Sequence, residues 1–430
     1  MYRWGWCLES GDGVAADQAQ ALVWYAKAVA AGNLDGAVAL ALCRIDGTGC
    51  PVDLAAGEVH LRQAATGGSR WGQRELGRFL EGHAESGRPE GQLWLRRAGE
   101  AGDISALRML GVALTRNTPP DIPAAIVLYE RAATAGDGLS AWFLASRLAS
   151  GNGVPADQVA SIRWLRRGVE LGQGDAVLRM AERMIDGEDM VANPTDAIAL
   201  LEQGNTSGHA GCTRRLALQL RDGKGTKRDP ARAVALLRQS AESGLTVAQV
   251  DWGMALFAGQ DVTQDRTAAF AWFTKAAEQG DGQAMHNLGV CHEQGLGTAV
   301  DVVAAARCFH EAADTGHLAA RRAWAACLAN GSGVTADPAQ AADLALQAAE
   351  DGDNQAGAVW QVAVTAMHER WSREPSAAMF GETLELQPVE LSVPAHSDAE
   401  LRNAVTAARN LANAAIDPGL GSAAAEALRG

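Results

Sequence analysis

The 430-residue sequence contains no apolar run near the ~18 residues that a membrane-spanning helix requires, so no transmembrane segment is expected. It is also short of positive charge: 37 Lys and Arg stand against 51 Asp and Glu, for a net charge of −14. That balance excludes general nucleic-acid binding, which needs a basic footprint. Metalloprotease, Walker and serine-elbow motifs are missing. The stretch DGKGT (222–226) lacks the G-x4-G-K-[ST] spacing of a phosphate loop. Proline is scarce, at 13 residues, which leaves long Ala-rich stretches free to run as helix. With 47% hydrophobic and 20% charged residues, the composition is that of a folded chain rather than a disordered one.

What the sequence does contain is a period. Gly32 is followed in register by Gly68, Gly102, Gly136, Gly172 and Gly208, then by Gly244, Gly280, Gly316 and Gly352. The step is 36 residues except for two consecutive steps of 34, which end at Gly102 and Gly136. Eight residues after each glycine stands a large apolar residue, from Leu40 and Leu76 to Trp324 and Trp360. A small residue follows it, as at Ala41, Gly77, Gly111, Gly253 and Gly289, until Gln361 breaks the column. Further small columns lie four and eleven residues before each glycine.

These spacings describe a pair of helices per unit. Large and small residues three, four and eight apart form one apolar face at helical period, and the small columns let helix backbones approach closely. A second helix is expected from an Asp or Asn fifteen residues before each glycine, as at Asp17, Asp53, Asp121, Asp157 and Asn193. The anchor glycine then ends that helix in the left-handed region. A cap for the next helix often follows it: Asn33, Ser69, Asp103, Asp137, Asp281 or Asp353. The G-x-G stretches, such as Gly11/Gly13 and Gly331/Gly333, turn the chain between the two helices.

The columns resemble the Sel-1-like repeat family, a branch of the tetratricopeptide-type solenoids, with its pattern A-x3-L-G-x2-Y-x2-G-x-G-V-x2-D-x3-A-x2-W-x3-A-A-x2-G. The ninth unit, AMHNLGVCHEQGLGTAVDVVAAARCFHEAADTG (284–316), follows it nearly throughout. The resemblance implies an all-α, right-handed α/α solenoid of about ten helix-pair repeats over residues 1–371. A linker over 372–396 and a short C-terminal helical tail over 397–430 follow, with Leu401, Val405 and Leu411 on one face. The unit around GHAESGRPEGQLW has lost two loop residues and its Asp cap, and TRNTPPDIP is shortened, so the superhelix pitch is expected to change there. Trp4 already sits in the large-apolar column, so the first helix lacks its opening half. Two explanations stay open: a misplaced start, or a fragment. The expected compartment is accordingly the cytoplasm, or the periplasm if a signal peptide is encoded upstream of Met1.

Chemistry-bearing residues are few. The seven cysteines show no paired spacing, and Cys7/Cys43 and Cys291/Cys327 are equivalent positions of successive units. Equivalent helices lie ~8–10 Å apart or more, beyond disulfide reach, so free thiols are expected. His286, Cys291, His292, Cys308, His310 and His317 gather in the ninth unit, where a minor zinc or copper site is one reading and half-buried packing residues the other. Of twelve tryptophans, Trp4, Trp252, Trp324 and Trp360 are expected in the first-helix core, and Trp24, Trp94, Trp164 and Trp272 in the second-helix core, eight residues before the glycine. Trp6, Trp71, Trp142 and Trp371 have no such structural place.

In related solenoids the first helices line a concave groove through positions three before, one after and six before the small column. Carried over, the resemblance gives Trp71, Arg74, Arg78, Arg108, Trp142, Arg214, His286 and Arg322 as partner-binding residues. Arg and Trp are enriched at binding hot spots, and Arg forks recognise carboxylates; solvated surface arginine is the plainer reading. The expectation is a non-catalytic, protein-binding scaffold or adaptor that takes an acidic or extended partner segment, without a cofactor. The alternative is a cell-envelope accessory protein that binds peptidoglycan or exopolysaccharide machinery.

Overall fold

The computed structural model describes residues 1–83, 85–188 and 191–373. The linker and tail expected beyond residue 373 lie outside the described residues. Every regular element among the described residues is helical, and the chain divides into two compact units, Met1–Arg228 and Asp229–Gly430.

The first unit opens with α1 (Tyr2–Ser10) and α2 (Gln18–Ala30), then α3 (Leu34–Asp46) and α4 (Leu54–Thr66). It continues with α5 (Arg70–His83) and α6 (Arg88–Glu100), α7 (Ile104–Arg116) and α8 (Ile122–Thr134), and α9 (Gly138–Ser150) and α10 (Gln158–Glu170). The pair α11 (Gly174–Asp186) and α12 (Pro194–Thr206) follows, and α13 (Ala210–Asp222) closes the unit. The second unit begins with α14 (Pro230–Glu242), α15 (Thr246–Ala258) and α16 (Arg266–Ala277). Next come α17 (Gly282–Gln294), α18 (Val302–Asp314), α19 (Leu318–Asn330), α20 (Pro338–Glu350) and α21 (Ala356–Arg373). Within each unit every helix packs on the next, and first helices of adjacent repeats also touch, as α3 and α5 or α17 and α19 do. Each unit is thus a file of helix pairs with a shared core, the solenoid architecture.

Local signals set the ends of the helices. All second helices except α6 are N-capped by Asp or Asn, whose side-chain oxygen accepts a backbone N–H in the first turn. At α6, the unit expected to have lost its cap, a 3-10 turn over Glu85–Gly87 replaces the loop and Gly87 makes no side-chain bond. The ten anchor glycines all have φ between 70 and 102°, which closes the preceding helix at no Cβ cost. The second loop glycine serves a different end. A Cβ on Gly49 would lie 2.7 Å from the Gln18 carbonyl oxygen of the preceding second helix, so only glycine lets the loop seat there.

Large and small residues interlock between the two helices of a pair. The residue seven before each anchor glycine is buried in every repeat: Tyr25, Leu61, Leu95, Tyr129, Leu165 and Leu201 in the first unit, Leu237, Phe273, Phe309 and Ala345 in the second. It faces the small column of the first helix. Where that column holds Gly5, Gly111, Gly253 or Gly289, the partner is aromatic, and a Cβ there would meet its ring. Opposite Ala41, Ala145 and Ala181 the partner position is Leu. In these repeats a smaller residue on one helix meets a larger one on the other, as close packing favours; Gly77 with Leu95 and Ala325 with Ala345 depart from the trade.

This corrects the tryptophan assignment. The second-helix core column lies seven residues before the glycine, not eight. Of the eight tryptophans expected in the core, Trp94 and Trp252 are buried, Trp24, Trp164, Trp272, Trp324 and Trp360 are half-buried, and Trp4 is exposed. One residue of helix turns a side chain by ~100°, which puts the indoles on the shoulder of the core. There Lys27, Arg97 and Lys275 lie over the rings of Trp24, Trp94 and Trp272. Trp4 stays exposed on α1.

Candidate functional site

The residues expected to line the groove divide between the two units. Trp71, Arg74, Arg78, Arg108, Trp142 and Arg214 belong to the first, His286 and Arg322 to the second. All sit on first helices, and all are half-buried except Arg78, which is exposed.

The arginines are not free forks. Arg74 reaches across to Asp103 (3.0 Å), Arg108 to Asp137 (3.2 Å) and Arg322 to Asp353 (2.7 Å). Each acceptor stands directly after an anchor glycine. Asp103 and Asp137 N-cap the next first helix through Ala106 N and Ser140 N, and Asp353 accepts the N–H of Gln355 ahead of α21. One carboxylate therefore holds a helix start and ties it to the preceding repeat. Arg74 and Arg78 also converge on the buried Glu75, at 3.0 and 2.7 Å. Arg214 likewise has a partner.

In the ninth unit the same slot holds two histidines. His286 occupies the arginine position, and His317, the N-cap of α19, occupies the aspartate position; their ring centroids are 5.1 Å apart. His317 Nδ1 accepts the Ala320 N–H, and its Nε2 faces Gln283 Oε1 at 3.1 Å. Burial, and then the neighbouring His317, hold His286 down to about 4; burial also pushes His317 below its usual value against the pull of Asp281. Both rings are thus kept neutral. His209 caps α13 in the same way, accepting the Cys212 N–H at 3.2 Å. The sequence reading missed both histidine caps; their position after Gly208 and Gly316, where other repeats carry Asn33, Ser69 or Asp103, was the available signal.

The remaining His and Cys of that unit disperse. His292 lies edge-on to Phe270, His310 stacks near Trp324, and Cys291 and Cys308 are buried. Among the described residues no group of three His, Cys, Asp or Glu side chains is placed to hold a metal ion. All seven cysteines are free thiols, five of them buried.

In the first unit the N-terminal ends of α3, α5 and α7 line a cleft of about 580 Å³. Trp71, from the groove position six before the small column, forms one wall with Asp35 and Ser105 from the equivalent positions of the flanking repeats. The Tyr2 ring meets Trp71 edge-on at 6.3 Å, which fixes the indole in place. Arg70 and the Arg74-bound Asp103 complete the polar side. The cleft offers an aromatic surface beside donors and acceptors of both signs.

The Sel1 repeat family model matches residues 1–33, 34–69, 104–137, 138–173, 212–245, 246–281, 282–317 and 318–353, well over half of the chain. The chain belongs to the Sel1 repeat family. The two windows left unmatched between matched repeats, 70–103 and 174–211, hold the helix pairs α5/α6 and α11/α12 and keep the repeat architecture. The first of them is the unit without an Asp cap. Among solved Sel1 repeat structures, the chain is similar to c5321, a protective antigen of uropathogenic Escherichia coli with an SLR fold. That match has 26% identity, 92% of this chain and 88% of that chain covered, and a TM-score of 0.53. It is also similar to a Sel1 repeat protein from Oxalobacter formigenes, at 25% identity over 70% of this chain and 90% of that one, with a TM-score of 0.51. No curated protein sequence matches the chain. Sel1 repeat proteins typically act as protein-interaction scaffolds and are generally not enzymes.

Proposed function

We propose that this Sel1 repeat protein is a non-catalytic scaffold that holds an extended segment of a partner protein along the first-helix face of its repeats. The observation that carries this reading is the cleft walled by Trp71, which brings the groove positions of three successive repeats to one surface. A peptide in extended form presents backbone N–H and C=O groups at regular intervals. Such a surface can pair them with Asp35, Ser105 and Arg70 while Trp71 takes an apolar side chain. Trp is among the residues that dominate binding energy at such contacts.

An extended segment fits better than a strongly acidic one. Arg74, Arg78, Arg108 and Arg322 already answer carboxylates of their own chain. An incoming acidic chain would have to compete with Asp103 or Asp137 for these guanidiniums.

The test is affinity capture on the full chain, comparing wild type with Trp71→Ala and with Arg70→Ala, both exposed to the cleft and outside the ion-pair slots. A partner retained by wild type and lost on Trp71→Ala supports the reading. Retention of the same partner by both variants sinks it. Reversing Arg74 or Arg108 to Glu is a poor probe, because it sets a carboxylate against Asp103 or Asp137.

A further inference from the structure

The second helices of the first unit carry a feature that the core does not use. The position nine before each anchor glycine points outward, and in the first four repeats it holds Val23, Val59, Leu93 and Val127. These side chains are 52, 62, 44 and 54% exposed. Single exposed apolar residues are ordinary on protein surfaces. Four in one column of consecutive repeats are a different matter, because a solenoid aligns equivalent positions along its length. One turn earlier, Ala19, Ala55, Pro89 and Pro123 are exposed and apolar too. The stripe stops abruptly: the fifth repeat has Arg163 at the outward position and the sixth Ala199.

A cationic column runs beside it. Four residues on, one helical turn from each apolar side chain, stand Lys27, Gln63, Arg97 and Arg131, all exposed. Lys27 and Arg97 lie over the indoles of Trp24 and Trp94, which holds them at the edge of the stripe. Neighbouring second helices are joined side by side here: Arg62 of α4 binds Glu90 of α6 through two hydrogen bonds, at 2.5 and 3.0 Å. That pair takes Glu90 out of the electrostatic balance, and Arg62 also binds Glu58. In the last turns, where the cationic column lies, the exposed carboxylates Glu100 and Glu130 are outnumbered by Lys27, Arg96, Arg97 and Arg131, while the exposed Asp53 and Asp121 stand at the opposite, N-terminal ends of α4 and α8. The apolar strip thus has a basic edge along the last turns of these helices, on a chain with a net charge of −14.

We infer that the second-helix face of α2, α4, α6 and α8 is a separate docking surface for an acidic amphipathic segment of a partner protein. Its apolar side chains lie along Val23, Val59, Leu93 and Val127, and its carboxylates meet Lys27, Arg97 and Arg131. Charge complementarity fixes the choice of occupant. An anionic lipid surface would meet the same cations, but it would also meet the negative charge of the rest of the chain. This surface is distinct from the Trp71 cleft, which lies at the N-terminal ends of the first helices.

A random 16-residue peptide library selected on the full-length protein tests the inference. Enriched peptides are then titrated against wild type and two surface variants. One carries Val23→Ser, Val59→Ser, Leu93→Ser and Val127→Ser. The other carries Lys27→Gln, Arg97→Gln and Arg131→Gln. Far-UV circular dichroism confirms that each is folded. Support takes the form of peptides rich in Glu or Asp together with Leu, Val or Phe, bound about tenfold or more weakly by each variant and weakened by salt. Peptides that bind both variants like wild type but are lost on Trp71→Ala overturn the inference in favour of the cleft. Absence of enrichment overturns it as well. So does binding of phosphatidylserine vesicles, abolished by the Lys27/Arg97/Arg131 variant, without any acidic peptide among the selected sequences.

Discussion

Gly253 leaves the space that the ring of Phe273 fills: a Cβ built on Gly253 would lie 2.6 Å from Phe273 Cε1. The same relation joins Gly5 to Tyr25, Gly111 to Tyr129 and Gly289 to Phe309. Gly253→Ala should therefore destabilise the second unit by roughly 1–3 kcal/mol, the usual range for overpacking. Adding Phe273→Leu, the Ala/Leu pairing of other repeats, should recover part of the loss. Urea denaturation of the two single variants and the double variant measures the coupling. Additive losses would show that the two side chains do not share the space.

Asp137 does two jobs, capping α9 and receiving Arg108. Asp137→Asn keeps a capping oxygen and loses the charge, and should cost no more than about 1 kcal/mol, as expected of a partly exposed pair. Asp137→Ala loses both and should cost about 1–2 kcal/mol. Amide hydrogen exchange at the first turn of α9 locates the effect. Equal exchange in the two variants would count against the cap.

The pair His286/His317 should make stability depend on acid. Both are held below the ordinary histidine value in the folded chain, His286 at about 4. The unfolded chain therefore binds more protons, and stability rises with pH across this window. It is fully present above ~6.5, the unfolded histidine value, and is lost as pH falls from there toward 4. Protonation at Nδ1 also removes the acceptor that caps α19, and Arg322 nearby adds to the repulsion on His286. His317→Asp restores the cap found in other repeats and should flatten the loss between pH 6.5 and 5. Thermal melts of wild type and variant from pH 8 to 4 give the comparison; parallel curves would rule the pair out as the cause.

Thiol chemistry should follow burial. Burial pushes Cys43 and Cys212 up to about 12, and Cys291 and Cys327 up to about 11, so none is a thiolate at pH 8. Cys7 and Cys50 are half-buried. In the native protein only those two should react with a maleimide within minutes, and all seven after denaturation. Fast native labelling of Cys212 or Cys291 would contradict the packing.

The sequence by itself determined the period, the second-helix caps and the family, because these depend on neighbours within a few residues. Asp17 accepts an N–H three residues away, and Gly32 needs only its own φ. The same locality let the unit around Gly87 be recognised as the one without a side-chain cap. Tertiary structure decided the rest. Whether the second-helix core lies at Tyr25 or at Trp24 turns on the rotation of that helix against its partner, a matter of one residue and ~100°. Whether Arg74 and Arg108 are free depends on how far the next repeat stands, and Asp103 and Asp137 proved to be within reach. Asp35, Trp71 and Asp103 meet at one cleft only because three repeats stack side by side. Spacing along the chain orders such residues into columns; packing between helices selects which side chains they touch.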